Sequence, residues 1–99
     1  MLKTEDILSY LLEKKDDFFS DYHLSKMGLF GSFAKQEETD DSDIDIIVEF
    51  KPNTQNLHEL KSDLKEKIAS HFNRKVDICR EKYIKSYFKT AILKSVIYV

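Results

Sequence analysis

The sequence predicts an α+β fold, a small mixed β-sheet with helices packed on it. Three observations carry that prediction. The chain has 99 residues, 41% hydrophobic and 34% charged, with Gly 2 and Pro 1; this suits one hydrophobic core and excludes collagen-like, low-complexity or linker-dominated chains. Apolar residues recur at helical spacing in some segments and run together in short β-branched stretches in others. These segments follow one another as helix, strand, helical turn, strand, helix, strand, helix, an alternation that packs helices against a sheet. One domain over residues 1–99 is expected.

Each element has its own signal. Ile7, Leu8, Leu11, Leu12, Phe18 and Phe19 lie at helical spacing, predicting a first helix over residues 5–20. Thr4 is expected as its N-cap, with Glu5 and Asp6 in the first turn, where the helix dipole favours acids. Lys26–Phe30 reads as a short strand running into a Gly31-Ser32 turn. Residues 35–42 form a polar, acidic loop. Asp43–Phe50 reads as a strand whose centre, Ile46-Ile47-Val48, is covered on both faces. Lys51-Pro52-Asn53-Thr54 breaks it. Asn56 with Glu59 has the reciprocal capping pattern of a helix start, and Leu57, Leu60, Leu64, Ile68 and Phe72 continue it to a left-handed cap at Asn73. Lys75–Cys79 is the third strand. Tyr83, Ile84, Tyr87, Phe88, Ala91 and Ile92 form the apolar stripe of a last helix, and Val96–Val99 either adds a strand or extends that helix.

Composition narrows the function classes. One cysteine, Cys79, excludes an intramolecular disulfide framework. The longest apolar run is too short for a membrane-spanning helix, and the acidic start, Met1-Leu2-Lys3-Thr4-Glu5-Asp6, lacks the apolar core of a signal peptide; a cytosolic location is expected. The net charge of −2 conceals a split, with 13 acids and 5 bases in residues 1–50 against 5 acids and 11 bases in residues 51–99. An acidic and a basic locus are one outcome, and interleaving in the fold is the other.

The chemistry concentrates in Gly31-Ser32-Phe33-Ala34-Lys35 and Ser42-Asp43-Ile44-Asp45. A Gly-Ser turn between a strand and a helix start exposes backbone N–H groups that attract phosphate, and the Ser32 hydroxyl adds a donor. Lys35, one turn on, can reach the same phosphates as a point charge. Alternate side chains of a strand share a face, so Asp43 and Asp45 emerge side by side while Ile44 and Ile46 turn into the core. Adjacent carboxylates repel unless a proton or cation lies between them, and hard oxygen ligands suit Mg²⁺. If the third strand pairs with the second, Asp77 completes a three-carboxylate site able to hold two metal ions in phosphoryl transfer.

Gly31 to Asp45 resembles the signature of minimal nucleotidyltransferases, small members of the DNA polymerase β superfamily: Gly-Ser-x-Ala-Arg-Gly, a short loop, Ser-Asp-x-Asp, and a third Asp on a later strand. Gly31, Ser32, Ala34, Ser42, Asp43 and Asp45 match. Lys35 stands in place of the usual Arg, and Gln36 in place of the usual Gly, a poor choice where positive φ is needed. The resemblance implies a polymerase β palm-like fold and transfer of a nucleoside monophosphate to a hydroxyl with release of pyrophosphate. It implies Asp43, Asp45 and Asp77 as catalytic metal ligands for two Mg²⁺ ions, and Gly31, Ser32, Lys35 and Ser42 around the ATP. Larger relatives carry acceptor-binding domains that this chain has no residues to form, so its acceptor is expected to come from elsewhere. Domains of this size resemble antitoxins that attach AMP to a tyrosine of a HEPN-domain ribonuclease toxin. Two other readings compete: a binding module that silences its partner by contact alone, and a nucleic-acid binder using Arg80, Lys82, Lys85, Lys89 and Lys94 interleaved with Tyr83, Tyr87 and Phe88. His23, His58 and His71 show no ligand spacing.

Overall fold

A computed structural model describes residues 2–84 and 92–99. Helix α1 (Thr4–Asp21) is followed by strand β1 (Leu24–Phe30), a single helical turn α2 (Gly31–Ala34), β2 (Ile44–Phe50), helix α3 (Leu57–Phe72), β3 (Val76–Arg80), a 3₁₀ turn (Glu81–Tyr83) and β4 (Ile97–Tyr98). The sheet order is β3-β2-β1-β4. β1 runs antiparallel to β2 and β4, while β2 and β3 are parallel. The expected mixed sheet is thus present. Its parallel pair needs a crossover, which α3 supplies.

Alternation along β2 separates two faces. Ile44, Ile46, Val48 and Phe50 join Leu24, Met27, Leu29, Val76 and Ile78 in one core cluster with Ile7, Leu11 and Phe18 of α1, Leu64 and Ile68 of α3, and Phe33 of α2. Each such aliphatic or aromatic side chain contributes roughly 1.5–3 kcal/mol on burial. Asp45, Ile47 and Glu49 take the other face. Ile47 is fully buried there, so the middle of β2 is covered on both sides as its composition predicts. On that same face β4 closes over Gly28: a Cβ added there would lie 2.8 Å from Val96 Cγ1 and 3.1 Å from the Ile97 carbonyl oxygen. Residues 96–99 therefore supply a strand, not a helix extension, with Gly28 opposite Tyr98.

Three local expectations are corrected. Thr4 is the first helical residue, not the N-cap; the Lys3 N–H is bound by Asp6 Oδ2 at 2.9 Å, and the buried Thr4 hydroxyl turns inward to the Phe33 carbonyl and Glu38. Asn56 does occupy the N-cap of α3, but with left-handed backbone (φ 58°) and no side-chain capping bond; Asn73 ends that helix at φ 50° as its type suggests. Tyr83 does not begin a buried helical stripe. Glu49 accepts hydrogen bonds from Arg80 Nε (3.0 Å) and the Lys82 N–H (3.2 Å), which bends the chain into a 3₁₀ turn and leaves Tyr83 69% exposed. Ile84 follows the turn with extended backbone, and Tyr87, Phe88 and Ala91 of the expected stripe lie outside the described residues, as do Lys85 and Lys89.

Candidate active site

The site begins with strand register. In the parallel pair Asp45 lies opposite Asp77, and in the antiparallel pair it lies opposite Phe30. Asp43 precedes β2 by one residue and shares the face of Asp45. The three aspartates therefore stand on the face turned away from the helical core, at the end of the sheet where β1 runs into α2. Ile44 and Ile46, fully buried, anchor the strand from the opposite side.

Gly31 makes the approach to this row possible. Its φ of +75° turns the chain from β1 into α2, and a Cβ there would collide with the Asp45 carboxylate, whose Cγ and Cβ would lie 3.0 and 3.1 Å away. The first-turn N–H groups of α2 have no intrahelical acceptors, so the Gly31-Ser32 backbone presents donors beside the carboxylates. Gln36 adopts φ +57°, the left-handed conformation that the glycine of the motif takes without cost; the departure is accommodated by strain and leaves the turn in place.

Electrostatics couple the members of the row. The Asp45 carboxyl is pushed above the ordinary carboxylate range, first by burial and then by repulsion from Asp77 and Asp43, with Lys75 opposing. Burial likewise raises the Cys79 thiol; Lys61 opposes, and the charges of Asp77 and Asp45 add to the rise. Lys75 Nζ lies 3.7 Å from Asp43 Oδ2, an exposed pair of little energetic weight. Among the described residues no three His, Cys, Asp or Glu side chains are gathered tightly enough to chelate an ion as they stand. The donor set nevertheless fits a hard divalent cation: three carboxylates aligned by backbone register, mutually repelling, with short side chains free to rotate onto a shared charge.

The structure brings Asp43, Asp45, Asp77 and Gly31 together, with Ser32 beside them. Lys35 is exposed at the end of α2, and the cation drawn to the carboxylates is Lys75. Ser42 closes the preceding loop, its hydroxyl accepting the Thr39 N–H at 2.8 Å and its carbonyl accepting from Arg74 Nη1 at 2.8 Å. The Arg74 guanidinium also sits 5.6 Å above the Phe33 ring. Arg74 and Lys75 were missed in the sequence. The signal was available: pairing Asp45 with Asp77 sets Asp43 beside Lys75 and Ser42 beside Arg74. A groove of about 730 Å³, lined by Tyr10, Lys67 and His71 among others, lies between α1 and α3, apart from the carboxylate row. Among the described residues no helix is long and apolar enough to cross a membrane.

The sequence pattern of the family "Polymerase beta, Nucleotidyltransferase" matches residues 13–99. A Methanocaldococcus jannaschii protein assigned to the protein adenylyltransferases is 35% identical over 99% of this chain and 100% of its own length. The protein adenylyltransferase MntA of Thermococcus cleftensis is 30% identical over 100% of this chain and 98% of its own. A solved complex of tri-AMPylated Shewanella oneidensis HEPN toxin with MNT antitoxin shares the fold at a TM-score of 0.58 and 22% identity, covering 87% of this chain and 66% of that one.

Proposed function

The chain belongs to the polymerase β nucleotidyltransferase family, and from that premise we propose that it transfers AMP from ATP to a tyrosine hydroxyl of a HEPN-type ribonuclease toxin, neutralising it as a cytoplasmic antitoxin. The observation that carries this reading is the register of Asp45 opposite Asp77, beside a glycine that no other residue can replace without striking Asp45. Relatives matching nearly the whole chain are protein adenylyltransferases, and a complex with the same fold joins an AMPylated HEPN toxin to its antitoxin.

In this mechanism Asp43, Asp45 and Asp77 would hold Mg²⁺, two ions on the family pattern, and the charge so held would offset the negative charge of the triphosphate and leaving group. Gly31 and Ser32 offer backbone N–H groups to the phosphates. Lys35 reaches them from the end of α2, and Ser42 borders them from its stapled loop. Asp77 helps draw the proton from the acceptor hydroxyl. The tyrosine oxygen bonds to the α-phosphorus, the bond from that phosphorus to the bridging oxygen breaks, and pyrophosphate departs. The test is transfer of label from α-labelled ATP, with Mg²⁺, to the product of the neighbouring reading frame, supplied as the partner. Asp45→Asn and Asp77→Asn should each abolish the labelled band. Neutralisation without transfer, unchanged in both variants, would leave a binding module instead.

The nucleic-acid reading loses one of its cations. Arg80 Nη2 pairs with Glu49 Oε2 at 2.8 Å with both side chains largely buried, so it is committed to the fold.

A further inference from the structure

The described tyrosines differ in exposure and in what holds them. Tyr10 is buried and stacks on His71 at 3.9 Å between ring centroids. Tyr22 is buried and donates to Asp63 Oδ2 at 2.5 Å. Tyr98 donates to Glu81 Oε2 at 3.0 Å; burial and then that carboxylate push its phenol up to about 12, a poor nucleophile at neutral pH. Tyr87 lies outside the described residues. Tyr83 differs from these three in being 69% exposed on the 3₁₀ turn. Arg80 Nη1 reaches to 3.5 Å from its oxygen, and the Arg80 guanidinium and Lys82 ammonium lie 5.1 and 5.3 Å from its ring centre. The nearby acids are engaged elsewhere, Glu49 by Arg80 and the Lys82 N–H, Glu81 by Lys26 and Tyr98.

We propose that Tyr83 is itself an acceptor, adenylylated by a second copy of this chain; the inference rests on the adenylyl-transfer reading above. The chemistry is that already derived. The Tyr83 oxygen bonds to the α-phosphorus of ATP, pyrophosphate leaves, and the phenolic proton passes to solvent or Asp77 of the acting copy. The product is an aryl phosphodiester that keeps one negative charge. The Lys82 ammonium, 5.3 Å from the Tyr83 ring centre, lies near enough to offset that charge. Geometry requires two copies. Asp77 is near the start of β3, and Arg80 at its end is about 10 Å further along the strand. Tyr83 lies beyond that, so its hydroxyl cannot reach the carboxylate row of its own chain.

The experiment uses the full chain, α-labelled ATP and Mg²⁺, with and without that neighbouring protein in the same tube. Two forms of this chain, distinguished by a tag, are mixed: Tyr83→Phe, with its carboxylates intact, and Asp45→Asn, with Tyr83 intact. Label on the Asp45→Asn form alone is the expected result, together with a fall of tenfold or more in self-label when Tyr83→Phe is incubated by itself. Transfer to the neighbouring protein should persist in Tyr83→Phe. Label on the neighbour with none on either form of this chain overturns the inference and leaves the function standing. Self-label that survives in Tyr83→Phe also overturns it, since the acceptor is then elsewhere. No label on any protein removes the function and the inference with it.

Discussion

Replacing Gly31 with alanine tests the site at its narrowest point. Its φ of +75° places an L-residue in the left-handed region, which costs about 1–2 kcal/mol. The lower entropy of an unfolded chain with alanine offsets about 0.4–1 kcal/mol of that. The added methyl then strikes the Asp45 carboxylate, and relieving an overpacked contact costs about 1–3 kcal/mol. The sum is a destabilisation of about 1–5 kcal/mol, centred on ~3 kcal/mol. For a domain of this size each kcal/mol moves Tm by ~4–8 °C, so thermal unfolding followed by circular dichroism should show a drop of about 10 °C or more. AMP transfer, measured well below the new Tm, should fall further than the folded fraction does, because Asp45 must leave its place in the carboxylate row to make room. Gly31→Ala with unchanged Tm and unchanged transfer would refute the claim that this glycine exists to let the turn approach Asp45. A lower Tm with full activity would refute its functional half.

Other outcomes follow from single residues. Gln36→Gly should stabilise the chain, because Gln36 sits at φ +57°; relief of about 1 kcal/mol exceeds the added unfolded-state entropy by a few tenths, readable as a small rise in Tm. Asp45→Asn should raise the Tm of the metal-free protein at neutral pH while abolishing transfer. The folded pKa of Asp45 is raised by burial and by its acidic neighbours, so its favourable contribution is complete below the unfolded value and lost as pH rises through the folded one; in Asp45→Asn that pH dependence disappears. Glu49 behaves in the opposite sense. Burial alone would raise its carboxyl, but hydrogen bonds from the Phe50 N–H, Arg80 and the Lys82 N–H outweigh it and lower the pKa. Its stabilisation is present above 4.5 and lost as pH falls through the depressed folded value. Glu49→Gln should cost about 1–2 kcal/mol at neutral pH and flatten the acid limb of a denaturation profile.

Much of the site was legible because two kinds of local signal coincide there. The period of two along Asp43-Ile44-Asp45-Ile46 assigns carboxylates to one face and aliphatics to the other with no knowledge of the partner strand. Gly31-Ser32 after an apolar strand marks the turn. What the sequence left open was the pairing of strands, on which the third carboxylate depends, and which involves residues 45 and 77. Arg74 and Lys75 escaped for the same reason: their importance comes from lying beside Ser42 and Asp43, a fact of parallel register and not of spacing. Tyr83 was misread because apolar periodicity continued smoothly across it. The Glu49 carboxylate, reaching from another strand, imposed the 3₁₀ turn. Thr4 was misassigned by one residue because its hydroxyl found a tertiary acceptor in place of its own helix.

The parallel union of β2 with β3 has one more consequence. Its two aspartates come from segments joined only through the whole length of α3, so neither hairpin nor helix fragment can carry the reactive centre alone. Cation and nucleotide, if they engage only the completed arrangement, must add their binding energy to the cohesion of the entire chain. Fraying of a helix on the far side of the sheet would then register as weakened grip on ATP, long before global unfolding is reached.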